Sequence, residues 1–166
     1  FEWFVRFRGQ LGFQVVAVGP GAAAILLRAL KEKHAVCLLS DRVVGQASGV
    51  EVSFFGQGAM LPAGPATLAL RSGAPVLPGA IYFGKGASSH RVVFRPPIEL
   101  PTGLGFRQTV RAVTQSIARE LEHLIRQAPT QWHLLQPNWP GDPSLHSPSA
   151  WARREARALM LPRVAE

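Results

Sequence analysis

The sequence predicts an α/β domain in which a mixed β-sheet is flanked by helices, and three observations lead to this prediction. Of the 166 residues, 47% are hydrophobic and only 17% are charged, which provides material for a core and excludes a chain that is mostly disordered. Apolar residues recur alternately at helical and at strand spacing. Short stretches rich in glycine and proline separate these segments.

Before residue 57 the spacing predicts two helices and three strands. The helices lie at 1–11 and 22–33, and the strands lie at 13–18, 35–39 and 49–56. The strand at 35–39 is an uninterrupted apolar run, so its single cysteine, Cys37, is expected to be a small buried hydrophobe. The strand at 49–56 alternates, which places Val50, Val52 and Phe54 on one face and exposes Glu51.

The second half predicts a helix that begins near 62–65 and ends at Ser72, with Pro65 in its first turn and Gly73 as its stop. Residues 74–83 and 91–94 predict two strands of a hairpin, and 106–127 predicts a long amphipathic helix that covers a sheet face and ends at 128–129. The pattern therefore predicts one domain over 1–140. Residues 141–166 are predicted to be a proline- and serine-rich linker and a basic helix.

Composition limits the classes of partner and site. The net charge is +8, and 15 of the 18 basic residues are arginine, which suits anionic partners but also follows from a GC-rich coding sequence. One cysteine excludes an internal disulfide framework and a cysteine zinc site. No stretch approaches the roughly 18 to 20 apolar residues that a membrane-spanning helix needs.

A search for catalytic groups gives mostly negative results. The sequence has no Gly-x-Ser-x-Gly elbow, no Walker loop, no metal-ligand spacing and no histidine with an acidic residue five positions later. Asp41 follows an apolar strand, where it can orient a histidine, but spacing alone favours a surface pair with Arg42 or a turn cap. Glu51 is equally ambiguous, because alternation alone explains its exposure.

Six blocks of sequence nevertheless form an ordered series. They lie at 4–13, 36–42, 49–56, 60–69, 73–78 and 132–139. Together they resemble the bacterial lipid A biosynthesis (late) acyltransferase family, over roughly residues 1–140. Within that family the likeness is greatest to the actinobacterial branch that acylates phosphatidylinositol mannosides.

The resemblance implies a fold and an activity. The fold is a glycerolipid acyltransferase-like α/β sheet flanked by helices. The activity is transfer of a fatty acyl group from a thioester, acyl-CoA in the mannoside branch, to a sugar hydroxyl of a membrane glycolipid. The implied location is peripheral, on anionic lipid at the cytoplasmic face of the plasma membrane. Acyl-CoA is then a co-substrate, and neither another cofactor nor nucleic acid is expected.

Family residues carry over position by position. A histidine in a His-x4-Asp/Glu motif is the family's general base, and Asp41 matches the carboxylate that orients it, with Glu51 as the fallback. The family often has a second aspartate where this sequence has Val43. The resemblance assigns substrate binding to Arg8, Arg42, Gly64, Pro65 and Phe55. Arg8 and Arg42 are expected to meet phosphates, Gly64 and Pro65 to form a turn near the acyl groove, and Phe55, like Phe54, to pack or to line that groove.

The base motif does not occur in the sequence, which predicts a chain that is incomplete at its amino terminus and inactive by itself. The sequence is also compatible with two other hypotheses. One is a non-catalytic basic module that binds lipid or nucleic acid. The other is an inactive relative that binds lipid.

Overall fold

A computed structural model describes residues 2–43, 49–86, 89–134 and 138–139. The helices within them are α1 (Glu2–Gln10), α2 (Ala22–Lys31), α3 (Gly64–Ser72) and α4 (Phe106–Gln127), and a 3₁₀ turn follows at Pro129–Gln131. The strands are β1 (Gly49–Phe54), β2 (Gln57–Pro62), β3 (Gly79–Phe83) and β4 (His90–Phe94). The mixed α/β class is confirmed, whereas the linker and basic helix predicted at 141–166 lie outside the described residues.

Strands β1 and β2 form an antiparallel hairpin with a two-residue turn. Its register pairs Phe54 with Gln57, so Phe55 and Gly56 make the turn. Both turn residues have positive φ, 52° for Phe55 and 77° for Gly56, as the type I′ turns that match strand twist require. Phe55 is therefore a bulky side chain in a backbone conformation that favours glycine or asparagine.

The inner face of this hairpin forms the first core cluster. As the alternation predicts, Val52 and Phe54 are buried, and Ala59 and Leu61 of β2 join them. These side chains pack against Ala118 of α4. Strand β2 was not predicted from the sequence.

Helix α3 forms the second core cluster with α4. Ala66 packs against Val110, Val113 and Ile117 of α4. The helix ends as predicted at Gly73, which adopts a left-handed conformation at φ 73°. Its amino-terminal turn contains Pro65, where a missing N–H costs nothing.

Strands β3 and β4 form the predicted antiparallel hairpin. Strand β3 begins at Gly79 rather than at residue 74, because Pro75 and Pro78 have no N–H to donate to a ladder. The hairpin is fixed to α4 by Tyr82, whose buried hydroxyl donates to the Leu124 carbonyl at 2.7 Å.

Two glutamine amides join the strands to the helical layer. Gln115 accepts from the Ser53 N–H at 2.8 Å and donates to the Ser53 carbonyl at 2.9 Å. Gln131 makes the same pair of bonds with Phe83, at 2.7 and 3.1 Å. Each amide acts as the next strand would, so it satisfies the backbone of a strand edge.

Two predicted strands are wrong. Residues 13–17 and 35–39 have no regular secondary structure and Val18 lies in a bend, and neither segment pairs with a strand among the described residues. A strand needs a hydrogen-bonded neighbour, and apolar composition alone does not supply one. The expectation that Cys37 is buried fails for the same reason, since its thiol is exposed.

The left-handed stop of α3 gives a direct test of the fold. We expect Gly73→Ala to lower the free energy of unfolding by about 1 to 2 kcal/mol, because a Cβ disfavours positive φ. Gly64→Ala is the matched control: Gly64 lies in the first turn of the same helix, with nothing within 4 Å of an added Cβ. Urea denaturation of both variants checks this, and equal stability of the two would contradict the assignment.

Candidate functional site

The loop after residues 35–39 contains a half-buried ion pair. Arg42 donates to both oxygens of the Asp41 carboxylate, from Nη2 to Oδ2 at 2.6 Å and from Nε to Oδ1 at 3.3 Å. The side chains are only 17% and 24% exposed, for Asp41 and Arg42 respectively. A two-point arginine–carboxylate contact fixes orientation as well as charge.

The segment after the 3₁₀ turn completes this network from the far end of the fold. Trp132 Nε1 donates to Asp41 Oδ2 at 2.9 Å, and Asn138 Nδ2 donates to the Asp41 backbone carbonyl at 3.2 Å. Arg42 Nη2 also donates to the His133 carbonyl at 3.0 Å. Three hydrogen bonds therefore hold the Asp41–Arg42 loop against residues that lie 91 to 97 positions later.

These contacts set the protonation of Asp41. Partial burial by itself would raise the pKa of this carboxyl group. The hydrogen bonds from Arg42 and Trp132, with the positive charge of Arg42, outweigh burial and hold the pKa of Asp41 below its usual value. Asp41 is thus an anion at neutral pH, as an orienting carboxylate must be.

The Asp41–Arg42 pair that spacing favoured is present, but it is half-buried rather than at the surface, and Asp41 has two further partners from the distant segment. The sequence places Trp132 and Asn138 only within the block at 132–139, and no role is predicted for either residue. Only their position in that block could have indicated a role. The residues next to Asp41 in sequence do not predict that Trp132 and Asn138 bind it.

Four aromatic rings connect this network to the β1–β2 hairpin. Phe54 is fully buried, and the Phe55 ring stacks on Trp132 with centroids 5.8 Å apart. Trp139 stacks on Phe54 at 6.2 Å, and its Nε1 donates to the Phe54 carbonyl at 3.2 Å. The expectation of packing therefore holds for Phe54, while Phe55 both packs and lines a surface depression.

That depression is apolar and open, with a volume of about 340 Å³. Its walls are Phe55, Gln57, Ile125, Pro129, Trp132 and Trp139. The strained turn at Phe55 is held in place by its neighbours: Glu122 accepts from the Phe55 N–H at 2.8 Å, and the Arg126 guanidinium lies 5.0 Å from the ring. Since Trp132 also binds Asp41, one side chain joins the depression to the ion pair.

Glu51 lies elsewhere, on the exposed face of β1. It borders a second, more polar depression of about 330 Å³ that Arg111 and Gln115 also line. Among the described residues its carboxylate has no hydrogen bond or ion pair, and Glu51 is not among the partners of Asp41. The structure therefore separates the two candidate carboxylates by environment.

The other candidate residues lie outside the Asp41 network. Arg8 is exposed on α1 and its guanidinium lies 4.1 Å from the Phe4 ring. Gly64 and Pro65 form the first turn of α3 and line neither of the two depressions, so their expected place near an acyl groove stays a prediction. In the part of the chain that the structure describes, no three potential metal-ligating side chains cluster, and no helix is long and apolar enough to cross a bilayer.

Comparison with known proteins identifies related sequences. The sequence model of the family described as bacterial lipid A biosynthesis acyltransferase matches residues 2–140. The phosphatidylinositol mannoside acyltransferase of Mycolicibacterium smegmatis is 35% identical over 145 residues, which are 86% of this chain and 45% of that protein. The Mycobacterium tuberculosis protein of the same name is 33% identical over 145 residues, or 86% and 43%. The chain thus spans about half the length of these relatives.

The low pKa of Asp41 makes stability depend on pH. A carboxylate with a depressed folded-state pKa stabilises the fold above its unfolded pKa of about 3.9, and that contribution is lost as pH falls through the folded pKa. We expect Asp41→Asn to lower the free energy of unfolding by about 1 to 3 kcal/mol at pH 7, because charged hydrogen bonds are lost. The difference should shrink steadily below about pH 4.

Chemical denaturation across pH 2.5 to 7 measures this difference. Glu99→Gln is the matched control, because Glu99 is an exposed acid outside the network. A difference between Asp41→Asn and the parent that is the same at every pH would contradict the proposed ionisation of Asp41.

Proposed function

Because the chain belongs to the bacterial lipid A biosynthesis acyltransferase family, we propose that it takes part in transferring a fatty acyl group from acyl-CoA to a sugar hydroxyl of a membrane glycolipid. The names of its relatives support a phosphatidylinositol mannoside as the acceptor. The observation that carries the proposal is the match over residues 2–140, which includes both halves of the Asp41 network. Peripheral attachment to anionic lipid at the cytoplasmic face of the plasma membrane belongs to the same proposal.

The chemistry is an acyl substitution. The acceptor oxygen forms a bond to the thioester carbonyl carbon, and the carbon–sulfur bond breaks to release the CoA thiol. A neutral sugar hydroxyl is a poor nucleophile until a base accepts its proton, and the same base can pass that proton to the departing sulfur. A histidine performs this step when a carboxylate fixes its tautomer and stabilises its protonated form.

Asp41 is the proposed orienting carboxylate. Among the described residues, Oδ2 accepts hydrogen bonds from two other side chains, at 2.6 and 2.9 Å, whereas Oδ1 accepts one from another side chain, the 3.3 Å bond from Arg42 Nε. Oδ1 therefore retains a lone pair for a histidine N–H. The depressed pKa of Asp41 supports this role, because a carboxylate that stays ionised can stabilise a protonated imidazole.

Glu51 is the alternative, supported by its position on the exposed face of β1, where its carboxylate has no partner within the described ranges. Replacement of the two carboxylates is expected to affect the stability of the fold differently. Asp41 holds the loop to Trp132 and is coupled to stability, whereas Glu51 has no such partner among the described residues. Activity and stability measured together therefore distinguish them.

The apolar depression bordered by Phe55 and Trp132 supports the acyl half of the proposal, since it offers an apolar wall joined to the Asp41 network. The guanidinium of Arg42 is part of that network, and Arg8 provides a second, exposed cation. Arginine binds phosphate oxygens in a planar, two-point manner, so these side chains are proposed to contact CoA or lipid phosphates.

We expect Asp41→Asn to lower kcat/KM for acyl transfer about 10-fold or more in the active enzyme that contains this chain, because the base loses its charged partner. Glu51→Gln should leave the rate within about threefold. The assay follows a labelled acyl group from acyl-CoA to a phosphatidylinositol mannoside. Glu99→Gln is the control.

Three outcomes would change the account. A rate within twofold of the parent for Asp41→Asn would remove Asp41 from the mechanism. A large loss for Glu51→Gln alone, without loss of stability, would transfer the orienting role to Glu51. No transfer from acyl-CoA to any mannosylated lipid by the unmodified enzyme would overturn the proposed reaction.

A further inference from the structure

The indole of Trp132 contacts two different parts of the candidate site. The face of its ring stacks on Phe55, with centroids 5.8 Å apart and ring planes 28° apart. Its N–H, on the edge of the same ring, donates to Asp41 Oδ2 at 2.9 Å. Because an indole is rigid, a rotation of the ring that alters one of these contacts also alters the other.

The packing of the Trp132 ring is incomplete where the ring borders the apolar depression. Phe55, Trp132 and Trp139 are each only partly buried, and all three line that depression. On the core side, the fully buried Phe54 meets Trp132 edge-on, with centroids 6.0 Å apart. The core thus contacts part of the indole, and the surface that lines the depression gains further contacts only when something fills it.

We propose that an acyl chain in this depression restrains the Trp132 ring and thereby holds the Asp41 carboxylate in its orienting position. The inference rests on the proposed function, in which the depression receives the acyl chain and Asp41 orients the base. Trp132 is then a positioning residue. The length of the acyl chain should affect kcat as well as KM, because binding energy from a remote part of the substrate aligns the reacting groups.

Trp139 is a matched control on the same apolar wall. Both indoles line the depression, and each N–H donates one hydrogen bond. They differ in the acceptor, since the Trp139 N–H binds the Phe54 carbonyl at 3.2 Å whereas the Trp132 N–H binds Asp41. Replacement of either residue by phenylalanine removes an indole and one hydrogen bond, but only Trp132→Phe breaks the connection to Asp41.

The test compares palmitoyl-CoA with octanoyl-CoA as donors in the active enzyme that contains this chain, with a phosphatidylinositol mannoside as acceptor. In the unmodified enzyme we expect kcat to be about 10-fold or more higher with the longer acyl chain. Trp132→Phe should reduce this kcat ratio to within about twofold, whereas Trp139→Phe should retain it. Both variants should raise KM for palmitoyl-CoA to a similar extent, because both lose part of the apolar wall.

Equilibrium binding gives a second readout that requires neither turnover nor a Trp132 variant. If the acyl chain strengthens the contact between Trp132 and Asp41, that contact must strengthen acyl binding by the same factor. Asp41→Asn should therefore raise the Kd of palmitoyl-CoA, relative to that of free CoA, about fivefold or more. Asp41 is not among the described residues that line the depression. Free CoA, which lacks the acyl chain, corrects for any change in phosphate binding by the neighbouring Arg42.

Three kinetic results would overturn the inference. They are equal kcat values for the two donors in the unmodified enzyme, a kcat ratio that persists in Trp132→Phe, and an equal loss of the ratio in Trp139→Phe, which would make the apolar wall itself responsible. Urea denaturation establishes that both variants fold. An unchanged relative Kd in Asp41→Asn would overturn the inference even if Trp132→Phe does not fold. Absence of transfer by the unmodified enzyme would overturn the proposed function instead, and the binding measurement distinguishes the two failures because it involves no transfer.

Discussion

The packing of helix α4 against both hairpins is the constraint on which the described fold depends. The β1–β2 and β3–β4 hairpins share no hydrogen-bonded ladder in the described ranges, so they are held together through the helix. Leu121 packs against both core clusters, and Tyr82 and Phe55 are each hydrogen-bonded to α4. A 22-residue amphipathic helix can do this because its apolar stripe continues past both strand pairs.

The segment that follows α4 positions the candidate site. The 3₁₀ turn at Pro129–Gln131 redirects the chain so that Trp132 faces two groups at once. Its indole N–H binds the Asp41 carboxylate, and its ring stacks on Phe55. Trp132 therefore contributes both to the packing of the aromatic rings and to the hydrogen bonding of Asp41. Its displacement would disturb both the ion pair and the apolar depression.

The sequence alone predicts the parts of this structure that local rules determine. The bounds of α4 follow from apolar periodicity, and the stop of α3 follows from Gly73, because both depend on neighbours within a few positions. Strand β2 escapes prediction because its six residues begin beside a turn and include Gly58 and Pro62. These local patterns are sufficient to predict the fold class.

The candidate site is different, because its contacts cross more than 90 positions of sequence. Nothing near Asp41 indicates that an indole and an amide from the far end will bind it, and the resemblance only placed both blocks in one domain. Residues 35–39 fail as a strand for a related reason. Their composition suits a sheet interior, but a strand also requires a partner that composition does not specify.

The measurement that tests this account most directly is a double-mutant cycle between Asp41 and Trp132. Trp132→Phe removes the indole donor while it keeps a stacking ring, and Asp41→Asn removes the charge it binds. We expect the free energies of unfolding to be non-additive, with a coupling of about 0.5 to 3 kcal/mol. Effects that add to within about 0.3 kcal/mol would contradict the claim that the segment after α4 holds the candidate carboxylate in place.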